Sequence, residues 1–397
     1  MNFNAHILEY DNITQARDAL SAINCDKAGI AIMENKAVFK IMKLENIPSK
    51  AANLLKQTFL AKGGEVAVAR GTADLSIEMT DVIIMATMKQ YRLALSQLKA
   101  QPWGLPGVAT AIENALQIAS GFPSRHYQWS DRELIIEPGR TLIMGILNIT
   151  PDSFSDGGKF NLTDAALRHA QQMVLDGADI IDIGAESTRP YGSQVISAEE
   201  ELDRLMPALE RLIHSLPVPI SVDTYKASVA DASLKAGAHI INDVWGLQFD
   251  GDMASVVASH QAPVIIMHNQ TGSEYKRDIL SEIHEFLHCS IDKATTAGIS
   301  ADNIIVDPGV GFGKTPAHNL TVMSRLQELK TLNCPILLGT SRKRFIGEIL
   351  NTPVDDRIEG TGATVAVGIT KGVSIIRVHD VKAMTRIAKM TDAILRG

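Results

Sequence analysis

The stretch 141–158 reads TLIMGILNITPDSFSDGG. Its first part, Leu142 to Leu147, is an uninterrupted apolar run, long enough for a strand buried on both faces. The run stops at Asn148, Thr150 and Pro151, and a loop of small, polar and glycine residues follows, with Phe154 as its one large apolar side chain. A buried strand that ends in a loop carrying an amide, hydroxyls and a carboxylate is how barrel enzymes present reacting groups. Downstream the pattern repeats. Strands are expected over 141–148, 179–184, 219–223, 239–243, 263–268, 304–307, 335–340 and 374–379, with amphipathic helices between them. Ser197 with Glu200 three residues on predicts a capping box for the helix that follows, whose apolar stripe is Leu202, Leu205, Met206, Leu209, Leu212 and Ile213. Eight strands alternating with helices over about 255 residues predict a (β/α)8 TIM barrel, with a doubly wound sheet as the alternative.

The chain has 397 residues, more than one ordinary core holds, so a second domain is expected upstream. Residues 1–120 read as a small α/β domain with strands at 6–10, 29–33, 38–44, 65–69 and 82–85, an order that begins βαββαβ and suggests a ferredoxin-like sandwich. It carries no paired carboxylates, metal-ligand spacing or nucleotide loop, and a docking or dimerising role is the expectation. Residues 121–138 read as a linker and 139–397 as the catalytic barrel. Hydrophobic residues make up 45% and charged residues 21%, and no apolar run approaches the roughly 20 residues of a membrane helix. The start, MNFNAHILEYDN, lacks a basic region followed by an apolar one, so no signal peptide is expected. Cys25, Cys289 and Cys334 are odd in number and far apart, as free thiols of a cytoplasmic protein would be. A net charge of −7 argues against a general nucleic-acid or membrane surface, but not against an anionic small molecule.

In a barrel the chemistry sits at the carboxyl ends of the strands. Here those ends read Asn148; Asp182 with Glu186 to Arg189; Asp223; Asn242–Asp243; His268–Asn269; Asp307; Ser341 to Lys343; and Arg377, His379 and Asp380. Helix capping or rim solvation accounts for any one of them, but not readily for all eight. Asp223, Asn242 and Asp307 offer acceptors and one amide, suited to a planar heterocycle with N–H and NH₂ donors. Arg189, Lys343, Arg377 and His379 form a cationic set that, with Asn148, suits a phosphate or diphosphate, with Mg²⁺ a natural companion. The expected ligand is therefore two-ended, a hydrogen-bonding ring at one end and an anion at the other.

These motifs resemble those of the dihydropteroate synthases of the pterin-binding barrel family. The matching stretches are MGILNITPDSFSDGG from Met144, DIGAESTRP from Asp182, ISVDT from Ile220, IINDV from Ile240, Met267–His268, DPGVGFGK from Asp307, SRKRFIG from Ser341 and RVHDV from Arg377. The resemblance implies the joining of 4-aminobenzoate to a dihydropterin bearing a CH₂–diphosphate. It implies a pterin site of Asp223, Asn242, Met267, Asp307, Lys343 and Arg377, with Asp223, Lys343 and Arg377 catalytic. It places the diphosphate on Asn148, Thr188, Arg377 and His379, with Mg²⁺ at Asn148, and 4-aminobenzoate on Thr188, Arg189, Phe312 and Ser341. It also implies a homodimer through barrel helices. Residues 1–120 lie outside it. Arg344, where the family often has Ser, and Tyr191, inserted before Gly192, depart from the pattern near the aminobenzoate pocket.

Two rival readings carry different chemistry. His284-Glu285-Phe286-Leu287-His288 matches the H-E-x-x-H zinc signature, but the metzincin continuation fails at Ile291 and Ala294, and the stripe Leu280, Ile283, Leu287 and Ile291 makes it an outer helix. A methyltetrahydrofolate-binding methyltransferase of the same barrel family would use the same ring acceptors, yet would have no diphosphate to expel and no need of Lys343, Arg377 and His379. A pterin-binding scaffold without catalysis is the third reading.

Overall fold

The computed structural model describes residues 3–10, 12–118, 122–149, 159–186 and 195–396. The chain divides into two compact units, Met1–Ser120 and Gly121–Gly397.

In the first unit, helices α1 (Ile13–Ala22) and α2 (Lys27–Ala37) precede strand β1 (Phe39–Pro48), helix α3 (Ser49–Leu60), strands β2 (Glu65–Val68) and β3 (Met79–Thr87), and helices α4 (Met88–Leu98) and α5 (Leu105–Ile118). The sheet has order β1-β3-β2 and is antiparallel. The expected small α/β domain is present, with β3 antiparallel between β1 and β2 as in the split βαβ arrangement of a ferredoxin-like sandwich, but two expected strands are absent among the described residues: 6–10 form no strand, and 29–33 are helical. Asp26 explains the second difference. Its carboxylate accepts the Gly29 N–H at 2.8 Å, and that cap starts a helix through residues expected to form a strand. The core of this unit packs Leu55, Phe59, Val66, Ile84, Tyr91, Leu98 and Leu105, with Phe59 edge-on to Tyr91 at 5.3 Å.

The second unit opens with a hairpin, β4 (Arg125–Gln128) and β5 (Glu133–Ile136), where a linker was expected. Tyr127, Leu134 and Ile136 face inward from it and join one apolar cluster with Leu142, Met144, Ile180, Ile240, Ile265, Ile305, Leu337 and Ile375. The hairpin thus floors the strands that follow. Its edges are anchored by Tyr127 Oη donating to Asp302 O at 2.8 Å, Arg125 paired with Asp302 at 3.2 Å, and Arg132 Nη2 donating to Ile213 O at 2.8 Å. The alternation of Arg125, Tyr127, Leu134 and Ile136 was the overlooked signal; Pro123 and Pro138 on either side suggested a linker instead.

Then come β6 (Leu142–Asn148), α6 (Lys159–Leu175), β7 (Ile180–Gly184), α7 (Ala198–Ser215), β8 (Ile220–Asp223), α8 (Ala227–Ala236), β9 (Ile240–Asp243), α9 (Met253–Ser259), β10 (Val264–Met267), α10 (Ile279–Thr296), β11 (Ile304–Asp307), α11 (Pro316–Ser324), β12 (Leu337–Leu338), α12 (Arg344–Leu350), α13 (Ile358–Thr370), β13 (Ile375–Val378) and α14 (Val381–Arg396). The strands are parallel, in the order β11-β10-β9-β8-β7-β6-β13-β12. A bridge between Val306 and Ile336 joins the two ends and closes the ring. Each strand neighbours its sequence neighbours, which excludes the doubly wound alternative, whose strand order reverses. The capping signal before α7 is half realised. Ser197 Oγ accepts the Glu200 N–H at 3.1 Å, while Glu200 pairs with Arg204 instead of turning back. The H-E-x-x-H stretch lies on α10, with Leu287 in the core and His284 Nε2 2.9 Å from Thr331 Oγ1.

Strand periodicity builds the site. Residues facing the helices, such as Ile181, Val222, Ile241, Ile266 and Val306, alternate with those facing the barrel axis. The inward apolar layer is Leu142, Met144, Ile180, Ile240, Ile265, Ile305, Leu337 and Ile375. Two residues further along the strands, the next inward layer holds Asp182, Asn242, Met267, Asp307 and Arg377, and Asp223 follows Ser221 in the same way.

Candidate active site

Arg377 occupies the middle of this polar layer. Its Nε donates to Asp182 Oδ2 at 2.6 Å and its Nη2 to Asp223 Oδ2 at 2.7 Å. Asn242 Nδ2 donates to Asp182 Oδ2 at 3.2 Å. Asp182 is completely buried and Asp223 nearly so, and their other oxygens, Oδ1 in both, have no hydrogen-bond partner among the described residues. A buried acceptor without a donor is costly, so these two oxygens fit a ligand edge bearing N–H groups. Burial and the nearby Asp182 push the Asp223 carboxyl up from its ordinary value, opposed by Arg377. In the sequence Asp182 is a polar strand end; the structure joins it to Arg377 and Asn242. Its signal was its place two residues after inward-facing Ile180.

The β11 loop is the opposite wall. Asp307 Oδ1 accepts the Gly309 N–H at 2.7 Å, and burial raises the carboxyl against the pull of Lys343. Gly309 needs its φ of +66°, and a Cβ there would sit 1.9 Å from His268 O, so the chain can cross β10 only as glycine. Lys314 closes the loop. Its ammonium donates to Gly309 O at 3.0 Å and Phe312 O at 3.1 Å, and lies 2.8 Å from His268 Nδ1. Burial and the Lys314 charge hold the imidazole far below its ordinary value, at about 2, so His268 is a neutral acceptor, and burial lowers Lys314 itself to about 7.

Lys343, at the start of α12, donates to Val310 O and lies over the Phe312 ring, 4.4 Å from its centroid. Burial draws its ammonium down to about 8, with Asp307 and Asp223 opposing and Arg377 reinforcing. Met267 packs with Tyr225, Val244, Trp245 and Phe312 as an apolar lip above the carboxylates. His379 and Ser341 meet on the rim between β12 and β13. Ser341 Oγ accepts the His379 N–H at 3.1 Å and lies 3.0 Å from His379 Nδ1. Asn148 ends β6, half-buried. Thr188, Arg189 and Tyr191 lie outside the described residues. Arg344 is exposed and pairs with Glu348 on the first turns of α12.

Fold and crevice together define a (β/α)8 barrel enzyme with an acidic, donor-seeking floor and a basic rim. The model of the pterin binding enzyme family matches residues 144–379. The dihydropteroate synthase of Bacillus subtilis is 56% identical over 256 residues, 64% of this chain and 89% of that protein. A crystal structure of the Clostridium difficile dihydropteroate synthase, determined in the presence of pteroic acid, superposes with a TM-score of 0.64 at 53% identity, covering 66% of this chain and 99% of that one. A probable bifunctional folylpolyglutamate synthase/dihydropteroate synthase of Halobacterium salinarum is 38% identical over 399 residues, spanning 98% of this chain and 47% of its own. That alignment runs through the first unit, so residues 1–120 have a counterpart after all. The chain belongs to the pterin binding enzyme family, among its dihydropteroate synthases, and is accordingly a transferase.

Proposed function

We propose that the crevice binds the two-ended ligand through opposite faces of the barrel mouth, and that the reaction is attack of the 4-aminobenzoate amine on the methylene of a dihydropterin, expelling diphosphate. The observation that carries this reading is the pair of unpartnered oxygens, Asp182 Oδ1 and Asp223 Oδ1, each on a carboxylate whose other oxygen is held by Arg377. Asp223, Asn242 and Asp307 take the pterin edge, with Met267 against the ring. As the C–O bond to diphosphate breaks, positive charge grows on the pterin methylene and negative charge on the leaving group. Fixed carboxylates beneath the ring stabilise the first, and Arg377 and His379 the second. Lys343 bridges the two ends. Phe312 and Ser341 form the aminobenzoate side. An aromatic amine attacks as the neutral species, so no strong general base is required.

For Mg²⁺, Asn148 supplies a single amide oxygen, and no group of three His, Cys, Asp or Glu able to hold a metal occurs among the described residues. That donor set fits an ion carried mainly by diphosphate oxygens and water, with Asn148 as one ligand. Bound there, it would neutralise charge on the leaving group. The methyltransferase reading is disfavoured by the cationic set of Lys343, Arg377 and His379, since methyl transfer expels no diphosphate. No helix among the described residues is long and apolar enough to cross a membrane, and the three free cysteines agree with a cytoplasmic setting. Exposed Ile349, Leu350, Ile358 and Val367 on α12 and α13 support a homodimer through barrel helices. The deciding assay is diphosphate release from the pterin substrate. It should require both 4-aminobenzoate and Mg²⁺, and release without the amine would defeat the reading.

A further inference from the structure

Lys343 follows a residue in an unfavourable conformation. Arg342 has φ +57°, a left-handed backbone that non-glycine residues with long side chains seldom adopt. The surrounding structure holds it there from every side. The Arg342 N–H donates to Thr361 Oγ1 at 3.2 Å, and its guanidinium forks onto Asp380 at 2.6 and 3.0 Å. Its carbonyl accepts from Arg357 Nη1 at 2.9 Å, and the same nitrogen reaches the Lys343 carbonyl at 3.4 Å. The other side of the Arg357 fork, Nη2 and Nε, donates to Thr352 O at 3.1 and 3.3 Å. One planar cation therefore ties the turn before α12 to the turn after it. It passes over Gly347, where a Cβ would stand 2.2 to 2.4 Å from the guanidinium.

We propose that Arg357, lying in the gap left by Gly347, is the positioning residue of Lys343: it locks the Arg342 turn in the left-handed conformation that directs Lys343 onto Val310 and Phe312. The bonds the structure gives Arg357 are to backbone carbonyls, so its effect on the reaction passes through Lys343. Lysine cannot replace it, because a single ammonium lacks the flat fork that spans two turns. The proposal rests on the assignment of Lys343 to the pterin end of the site.

The test uses the full-length enzyme carrying Arg357→Lys, Arg357→Met or Gly347→Ala. Each should raise the KM for the pterin diphosphate and lower kcat, by about 10- to 100-fold in kcat/KM, as for a small misplacement of a reacting group. Each should also move the basic limb of the kcat/KM profile upward, because a released Lys343 returns toward its ordinary ammonium value. In Arg357→Met, the second change Arg342→Gly, which removes the backbone penalty, should recover part of the loss. A lower Tm with unchanged KM and pH limb would overturn the proposal by making Arg357 merely structural. Should the Arg357 variants fail to fold, wild-type kinetics in Gly347→Ala would overturn it equally. Lys343→Ala separates the two layers. If it leaves pterin affinity intact, the underlying assignment falls and the proposal with it; if it weakens binding while the Arg357 variants do not, the proposal alone falls.

Discussion

Arg377 and Asp223 stand 2.7 Å apart, on strands separated in the barrel by β6 and β7 and in the sequence by 154 residues. The same guanidinium binds Asp182 through a second nitrogen, so one residue of the last strand spans the carboxylates of two earlier ones. With one oxygen of each carboxylate taken, the others have no hydrogen-bond partner among the described residues.

Replacing Asp223 with Ala removes a desolvated acceptor and deprives Arg377 of a partner. The loss should be about 2–4 kcal/mol of transition-state stabilisation, or about 30- to 1,000-fold in kcat/KM for the pterin substrate. Arg377→Lys keeps the charge but cannot reach Asp182 and Asp223 together, and should lose both diphosphate affinity and turnover. Steady-state kinetics with calorimetry of pterin and diphosphate binding check both. Near-normal turnover in the two variants would dismiss this floor as the pterin site.

Raising the pH should reduce activity before it reduces stability. Lys343 loses its charge near pH 8, so kcat/KM for the pterin diphosphate should fall as pH rises through about 8. The kcat limb should lie higher, since bound diphosphate favours the ammonium. Lys343 and Lys314, lowered to about 8 and about 7, bind fewer protons folded than unfolded between those values and 10.5. These two groups therefore make the folded state relatively more stable as pH climbs through that window. A fall in activity paralleled by a fall in Tm would point to a different group.

Lys314→Met leaves Gly309 O, Phe312 O and His268 Nδ1 without their donor, which should cost about 2–4 kcal/mol of stability. The freed loop carries Phe312, so the KM for 4-aminobenzoate should rise more than the affinity for the pterin falls. Denaturant melts and separate substrate titrations would read the two effects, and an unchanged aminobenzoate KM would detach Lys314 from the pocket.

A chain beginning at Phe122 keeps the hairpin and should fold and turn over with an unchanged kcat, since every site residue assigned lies at or after Asn148. A chain beginning at Ser130 loses β4 and with it Tyr127 from the barrel floor. It should be destabilised by about 3 kcal/mol or more, as for deletion of a buried aromatic. Thermal melts and turnover of the two truncations decide this, and loss of kcat in the longer one would bring the first unit into catalysis.

The barrel was legible because its strands are local patterns. Each is an apolar run that ends in polar residues, and inward positions follow one another by two. Ile180–Asp182, Ile240–Asn242, Ile305–Asp307 and Ile375–Arg377 can each be read as a pair from a few residues of chain. Helix α2 differs from the strand expected at 29–33 because Asp26 caps a helix there. The hairpin was missed because its burial depends on a floor assembled from eight strands.

The sequence by itself thus determined which residues face the axis and at what height, because the strand repeat depends only on neighbours along the chain. It could not determine who meets whom across the axis. The Arg377 fork on Asp182 and Asp223 joins residues 195 and 154 positions apart, and the Lys314 link to His268 joins the loops of two adjacent strands, so both come together only when the strands assemble. Partners there are selected by strand order and stagger around the barrel, and by the cost of leaving a buried polar group without a hydrogen bond in an interior of low polarity.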